Sequence, residues 1–354
     1  MIAKYKQVAE KIKEYINSDK LRERRLPTER ELAIIYDVSR QTIRQALDLL
    51  IKDHYIYKVQ GSGIYVSDTY FSARNKIALV VESEEDYIYP EIISYLKDAM
   101  RPYGFSLNIH VTNGHMTSLF DVLNGIKKNP VRGIISIPVR SALPAPFESA
   151  YSELDKMHIP NIFYMDTYSY IKDIPSVRYD DTFSAYRMTL DLLKESSCLY
   201  GIFLTDSVCS HYRFLGFIQA ATERKLSLEN INIKWISTEQ LREYRTSQTI
   251  KCLKDFVQKI TSESNKNVSL LCHNDEIAAC VCDLIDKKKD MPTIYSFDKS
   301  YLSRLPEYDF VSFSPDKKEM AQAVLKQLMA IMNRDKNDPV RNSYSLSVTF
   351  PVSF

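Results

Sequence analysis

The chain has 354 residues, 45% of them hydrophobic, which is enough for two or three domains with sizeable cores. Its net charge of +2 hides an asymmetry, because residues 1–76 carry 15 Lys and Arg against 10 Asp and Glu, whereas the remainder carries 32 against 35. The sequence has no signal-peptide core, no membrane-length apolar run and no C-x-x-C pair among its six cysteines, so we expect a cytoplasmic protein without structural disulfides. A basic N-terminal part fits a nucleic-acid partner, although ordinary surface scatter explains the charge equally well.

The first 67 residues predict a helix-turn-helix followed by a two-stranded wing. Thr28 with Glu31 forms a capping box before the second helix, and Ser39 is a natural N-cap for the third. The turn between the strands contains Gln60 and Gly61. The predicted elements are helices over 4–18, 28–36 and 40–52 and strands over 55–58 and 64–66.

The third helix has the composition of a recognition helix. Its first residues read Ser39-Arg40-Gln41-Thr42-Ile43-Arg44. Arginine suits bidentate contact with guanine and glutamine suits adenine, while hydroxyl groups at a helix N-terminus suit phosphates. We therefore expect this helix to enter the major groove of double-stranded DNA.

Residues 68–75 are polar and lack an apolar period, which predicts a linker. From residue 76 onward, continuous apolar strands alternate with helices, which indicates parallel sheets covered on both faces. Residues 76–354 exceed one such unit, so we expect two α/β lobes. The strands are predicted at 77–81, 105–111, 133–137, 161–165, 200–204, 268–272 and 293–297, and the helices near 90–103, 118–128, 148–157, 182–195, 210–224, 241–262, 275–288 and 316–334.

Three ordered motifs make residues 4–66 similar to the winged helix of the GntR family. They are Leu26-Pro27-Thr28-Glu29-Arg30-Glu31-Leu32-Ala33, Tyr36-x-Val38-Ser39-Arg40-x-Thr42-Ile43-Arg44-x-Ala46-Leu47-x-x-Leu50 and Gln60-Gly61-x-Gly63-x-Tyr65-Val66. The resemblance implies that the DNA-facing residues are Lys4, Glu29, Arg30, Ser39, Arg40, Gln41, Thr42, Arg44, Gln60 and Gly61. For Glu29, a stabilising charge at a helix N-terminus is an equally good interpretation. His54 stands where the family usually has Gly, which implies strain in a left-handed turn.

The remainder of the chain resembles the LacI and periplasmic sugar-binding fold. The motifs that carry this resemblance are Ile159-Pro160 before Tyr164-Met165-Asp166, then Asp180-Asp181, Arg213-x-x-Gly216-Phe217-x-x-Ala220, Asn274-Asp275-x-x-Ala278, Phe297-Asp298 and Ser312-Phe313-x-Pro315. A GntR head on such a body is the arrangement of the arabinose-repressor subgroup, to which Ile88-Tyr89-Pro90 is also similar.

Ligands of open parallel sheets bind beyond the carboxyl ends of the strands. Together with the resemblance, this implies ligand contacts from Tyr89, Asp166, Asp181, Phe183, Arg213, Asp275 and Asp298. For Asp298, capping of a strand end is the alternative, and Asp166 stands one residue later than the family's aspartate. Charged groups of this kind hold sugar hydroxyls, and aromatic rings such as Tyr89 and Phe183 stack on the sugar's apolar face.

The sequence predicts a regulator and not an enzyme. It has no H-E-x-x-H, G-x-G-x-x-G or Walker motif, and we expect no cofactor and no metal. We expect a homodimeric repressor of carbohydrate utilisation, released from its operator by a small sugar such as L-arabinose, with dimer contacts through helices 90–103 and 118–128. The alternative is a body that only dimerises or takes another effector. A sugar-transport protein would need a signal peptide and would not have the DNA-binding head.

Overall fold

The computed structural model describes residues 3–17, 21, 24–73, 75–144, 147–247, 251–262, 267–285, 291–332 and 347–353. Its helices are α1 (Lys4–Asn17), α2 (Glu29–Ile35), α3 (Arg40–Lys52), α4 (Asp68–Ala73), α5 (Tyr89–Met100), α6 (Met116–Lys128), α7 (Phe147–Lys156), α8 (Asp181–Leu192), α9 (Val208–Glu223), α10 (Thr238–Ser247), α11 (Lys251–Ser262), α12 (Asp275–Leu284) and α13 (Lys317–Met332). Its strands are β1 (Ile56–Val59), β2 (Gly63–Val66), β3 (Lys76–Val81), β4 (Ser106–Val111), β5 (Gly133–Ser136), β6 (Asn161–Met165), β7 (Ser176–Tyr179), β8 (Cys198–Leu204), β9 (Ile231–Ile236), β10 (Val268–Cys272), β11 (Thr293–Phe297), β12 (Val311–Phe313) and β13 (Val348–Phe350).

The head consists of α1, α2 and α3 with the antiparallel wing β1–β2. Its core contains the fully buried Ile12 and Ile16 of α1 and Ile43 and Leu50 of α3, and each pair has the spacing that places both side chains on one face of its helix. His54 adopts φ +57°, the left-handed conformation that the sequence comparison implied for this position.

The segment predicted as a linker contains the short helix α4. The Tyr70 ring stacks on Tyr55 of the head with 3.6 Å between centroids, and Phe71 packs against the same core. The segment therefore continues the head through aromatic packing. The sequence did not predict this packing, because two aromatic side chains among polar residues are too few to show a helical period.

The body is built on two parallel sheets. The first lobe has the strand order β13-β7-β6-β5-β3-β4, and the second lobe has the order β12-β11-β10-β8-β9. The central strands read as continuous apolar runs because both of their faces are covered, and all seven residues of β8 are buried. This confirms the predicted two-lobed parallel α/β body.

The chain passes between the lobes more than once. It leaves the first lobe after β7 and enters the second at α8, and after β12 it returns to the first lobe, where α13 packs against α5. The backbone N–H of Val352 then donates to Ser184 Oγ of the second lobe, at 3.1 Å. Multiple crossings bring the carboxyl ends of both sheets to one cleft.

The strands β7, β9, β12 and β13 were not predicted from the sequence. The predicted helix 241–262 is described as two helices, α10 and α11, and the predicted helix 275–288 extends into residues 286–288, outside the described part of the chain. No helix in the described ranges combines the length and the apolarity needed to cross a bilayer.

Candidate nucleic-acid interface and interlobe cavity

The N-terminus of α3 carries an exposed polar face. Ser39 Oγ accepts from the Thr42 backbone N–H at 3.1 Å and lies 2.9 Å from Thr42 Oγ1. Arg40, Gln41 and Arg44 are exposed, while the opposite face of α3 is buried in the head. The first turn of α3 is therefore held in shape by its own cap and leaves its long polar side chains available to a groove.

Glu29 ties together three elements of the head. Its carboxylate accepts from Arg44 Nε at 2.8 Å and from Lys58 Nζ at 3.2 Å, so it joins α2 to α3 and to the wing. The hydrogen bond from Arg44 is the main cause that lowers the pKa of Glu29, with Lys58 adding to it against the effect of burial. In this arrangement Glu29 orients Arg44, in addition to the roles considered from the sequence.

The other predicted DNA-facing residues lie on exposed parts of the head. Arg30 and Arg40 line a surface hollow together with Lys58 of the wing, and Lys4 is exposed at the start of α1. Gln60 and Gly61 are exposed at the wing tip, where Gly61 adopts φ +77°, which favours glycine.

A cavity of about 160 Å³ lies between the two lobes. Four of the seven predicted ligand residues line it: Tyr89, Asp166, Arg213 and Asp298. They come from both lobes, since Tyr89 and Asp166 follow strands of the first and Arg213 and Asp298 belong to the second. The arrangement can enclose a small polar molecule between two walls.

Arg213 is a buried residue that lines this cavity. Its Nε donates to Asp181 Oδ1 at 2.8 Å, its Nη1 donates to the carbonyl of His273, and its Nη2 lies 3.7 Å from Asp298 Oδ1. The guanidinium also lies 4.0 Å from the centroid of the Phe297 ring. A buried arginine needs this degree of compensation, because an unpaired buried charge is strongly destabilising.

Three predicted ligand residues lie elsewhere than expected. Asp181 is fully buried behind Arg213, where burial raises its pKa to about 7 against the opposing effect of that arginine. Phe183 is 47% exposed and does not line the cavity. Neither side chain faces the cavity. Asp181 is paired with Arg213, and Phe183 lies on the exposed side of α8, just after the N-cap of that helix.

Asp275 is the most informative of these differences. Its carboxylate accepts from the hydroxyls of Ser296, Ser300 and Ser312 and from the Ser300 backbone N–H at 2.7 Å. The side chain is fully buried and absent from the cavity wall, where its neighbours Asn274 and Glu276 stand instead. Asp275 therefore holds together the strand ends of the second lobe, and its side chain does not line the cavity in this structure.

Asp166 reaches the cavity although it follows the family's aspartate by one residue. Met165 adopts φ +66°, and this local turn directs Asp166 toward the cleft. Its carboxylate accepts from Ser141 Oγ at 2.6 Å and from the Cys209 backbone N–H at 3.1 Å, so it touches both lobes. Burial raises the pKa of this carboxyl.

The cavity wall also contains charged residues that are not among the predicted ligand contacts, although Glu82 belongs to the loop 82–90, which follows a strand and was expected to face the ligand. Glu82 follows β3 directly, Arg140 and Asp206 come shortly after β5 and β8, and Arg242 lies on α10. The position after a strand was the available signal for the first three. For Arg242 there was none, because nothing in the sequence of α10 distinguishes it from a solvent-facing arginine.

Polar contacts join the lobes across the cleft. Tyr87 of the first lobe donates to Asp298 Oδ2 of the second at 2.7 Å, and Arg242 Nη2 donates to Glu82 Oε1 at 3.0 Å. Arg140 of the first lobe pairs with Glu239 of the second. Within the described residues, no group of three or more histidine, cysteine or acidic side chains is arranged to hold a metal ion.

Comparison with known proteins agrees with both halves of the sequence analysis. Residues 4–66 match the family described as bacterial regulatory proteins, gntR family. Over 96% of this chain and 94% of the relative, the sequence is 27% identical to the arabinose metabolism transcriptional repressor of Geobacillus stearothermophilus. The corresponding repressor of Halalkalibacterium halodurans is 27% identical over 89% of this chain and 85% of that protein.

Solved structures share the fold of the body. One is a periplasmic binding protein/LacI transcriptional regulator from Alkaliphilus metalliredigens complexed with D-xylulofuranose, with a TM-score of 0.59 and 19% identity over 73% of this chain and 91% of that one. Another is the Cra transcriptional dual regulator from Pseudomonas putida with fructose 1-phosphate, with a TM-score of 0.63 and 16% identity over 79% and 97%. At this level of identity the likeness establishes the fold. The full-length relatives are transcriptional repressors, in agreement with the prediction of a regulator rather than an enzyme.

Proposed function

The chain joins a GntR-type DNA-binding head to a body with the fold of LacI regulators and periplasmic binding proteins, and from this premise we propose that it is a repressor of sugar utilisation whose operator binding is relieved by a small sugar. The relatives named as arabinose repressors support this role. The observation that carries the proposal is the cavity walled by both lobes, because a ligand enclosed there contacts both walls only when the lobes are closed.

The charges of the cavity favour an uncharged sugar over a sugar phosphate. Each of the three arginines in its wall is already paired with a carboxylate: Arg213 with Asp181, Arg242 with Glu82, and Arg140 with Glu239. A phosphate would be repelled by these carboxylates, whereas hydroxyl groups can bond to carboxylates and guanidinium groups together. The cavity is also small beside the roughly 300–1,000 Å³ of ordinary ligand pockets, which suits a monosaccharide.

L-arabinose is the first candidate, since the two full-length relatives are named for arabinose metabolism. A sugar that binds the closed body more tightly than the open body shifts the population toward closure. In a homodimer with paired heads, closure changes the spacing of the heads relative to two operator half-sites and weakens DNA binding. The alternative, a body that only dimerises, leaves the cavity without a role.

The test is the thermal unfolding of the full chain in the presence of a panel of pentoses and hexoses, L-arabinose first. A sugar at about 100 times its Kd stabilises the folded state by about 2.7 kcal/mol, which raises the unfolding temperature by several degrees. Arg213→Lys keeps the charge but loses the planar fork, so it should abolish most of the shift. The control Arg224→Lys, an exposed change at the end of α9 on the second lobe, should retain it. If no sugar shifts the wild type, the sensor function is wrong.

A further inference from the structure

Arg242 crosses the cleft and contacts two residues of the first lobe. Its Nη2 donates to Glu82 Oε1 at 3.0 Å. The guanidinium also lies against Gly114, where a Cβ atom would stand 1.4 Å from Nη2 and 2.6 Å from Cζ. Gly114 follows β4 and, like Arg242 and Glu82, lines the cavity. The absence of a side chain at position 114 therefore makes the room that the guanidinium occupies.

One donor nitrogen of the same guanidinium makes no hydrogen bond within the described residues. Nη1 of Arg242 is buried and has no hydrogen-bond partner among the described residues. A buried donor without an acceptor is unfavourable by about 1–3 kcal/mol. Arg242 lines the cavity, and although Nη1 itself is closed to solvent in this structure, a bound molecule that shifts the guanidinium slightly supplies the missing acceptor. The rigid fork of arginine allows one edge to hold Glu82 while another faces a ligand.

We propose that Arg242 is an effector-binding residue that also fastens the two lobes together, with Nη1 donating to a sugar hydroxyl and Nη2 held by Glu82 over Gly114. This rests on the proposed sugar-sensing function and adds to it a residue of α10, outside the motifs that carry the family resemblance. The same side chain then contacts the ligand and, in the closed state, the opposite lobe. Ligand hydroxyl and lobe closure stabilise each other because each fixes the orientation of the same guanidinium.

Gly114 provides a test with a matched control. Gly114→Ala places a methyl group where the guanidinium lies, and it also strains the backbone, since Gly114 adopts φ +59°. Gly104→Ala in the same lobe imposes a similar strain at φ +69°, but a Cβ there meets nothing within 4 Å. Any difference between the two variants therefore reports the contact with Arg242.

The experiment is calorimetric titration of the full-length protein with L-arabinose. We expect Gly114→Ala to weaken binding at least tenfold relative to Gly104→Ala. Arg242→Lys can keep the pairing with Glu82 but has a single donor nitrogen in place of the planar fork, so it should weaken binding at least tenfold relative to wild type. In an Arg242→Ala background, Gly114→Ala should cause no greater loss than Gly104→Ala, because the clashing group is gone.

The outcomes separate this inference from the function on which it rests. If the wild type binds the sugar and Gly114→Ala behaves as Gly104→Ala does, the role of Arg242 is wrong while the sensor function stands. If Gly114→Ala weakens binding equally with and without Arg242, the effect is backbone strain and the inference is again overturned. If the wild type binds neither L-arabinose nor any other sugar of the panel, both are overturned.

Discussion

Three buried aspartates near the cleft have different roles because their neighbours differ. Asp166 faces the cavity and accepts hydrogen bonds from both lobes. Asp181 neutralises the buried charge of Arg213, and Asp275 accepts hydrogen bonds from three serine hydroxyls. All three follow strands in the sequence and fit the same family motifs, so the sequence could place them near the cleft. It could not say which carboxylate faces the ligand, because that depends on serine residues up to 37 positions away in the chain.

The structural role of Asp275 predicts a loss of stability rather than of specificity. Asp275→Ala leaves several buried donors without an acceptor and should lower the free energy of unfolding by about 3 kcal/mol, while sugar affinity below the unfolding transition changes little. Urea unfolding followed by the fluorescence of Trp235, the single tryptophan, reports on the same lobe. Asp255→Ala, an exposed change on α11, is the control and should be neutral. Loss of sugar binding with unchanged stability would make Asp275 a ligand contact after all.

Arg40 is the residue through which we expect base recognition. Arg40→Ala should weaken binding to an operator selected from a random duplex pool by about 1–3 kcal/mol and relax the preference for that sequence. Lys52→Ala removes the same charge from the far end of α3 and should have a much smaller effect. Gel-shift titration measures both. Equal losses for the two variants would mean that only net charge matters and that α3 does not read bases.

Among the helices and strands, the sequence best predicts those whose ends are marked by local capping and turn residues. The head was predicted almost residue by residue, because a capping box, a serine N-cap and a glycine turn mark its boundaries. The strands β6, β10 and β11 were predicted with their observed bounds, because each is a short, mostly apolar segment between more polar stretches of the chain. The strand β9 was missed although its residues Ile231–Ile236 alternate between apolar and polar side chains, as in a half-exposed strand, because the strands of the body were expected mainly to be continuous apolar runs. The strands β12 and β13 have three residues each, too few to show any period.

The cap of α3 has two separable effects. Ser39→Ala removes the acceptor for the Thr42 N–H and should destabilise the head by about 1 kcal/mol. Ser39→Asp keeps a capping oxygen, so stability should be retained, while its negative charge near DNA phosphates should weaken operator binding. Thermal unfolding followed by circular dichroism and gel-shift titration measure the two properties. If Ser39→Asp binds the operator as wild type does, α3 does not present its N-terminus to the phosphate backbone.

At the scale of the whole molecule, the proposed mechanism requires a dimer. The first lobe exposes apolar side chains next to the helices expected to form the interface: Phe120 on α6 is 42% exposed and Tyr103 after α5 is 57% exposed. Phe120→Glu should shift the protein toward monomer and weaken operator binding, because one head reads only one half-site. Leu228→Glu on the second lobe, at a site 86% exposed, is the control. Analytical ultracentrifugation measures the oligomeric state. A wild-type protein that sediments as a monomer at concentrations at which it binds its operator fully would contradict the dimer.

The central claim is that one protein couples sugar in the interlobe cavity to DNA on the head. Linkage requires that operator DNA weaken sugar binding by the same factor by which the sugar weakens DNA binding. The most direct measurement is calorimetric titration of the full-length protein with L-arabinose, with and without saturating operator, alongside operator titrations with and without saturating sugar. We expect equal factors, roughly 5–150-fold, from both directions. Sugar binding of equal affinity to the free and the operator-bound protein would contradict it.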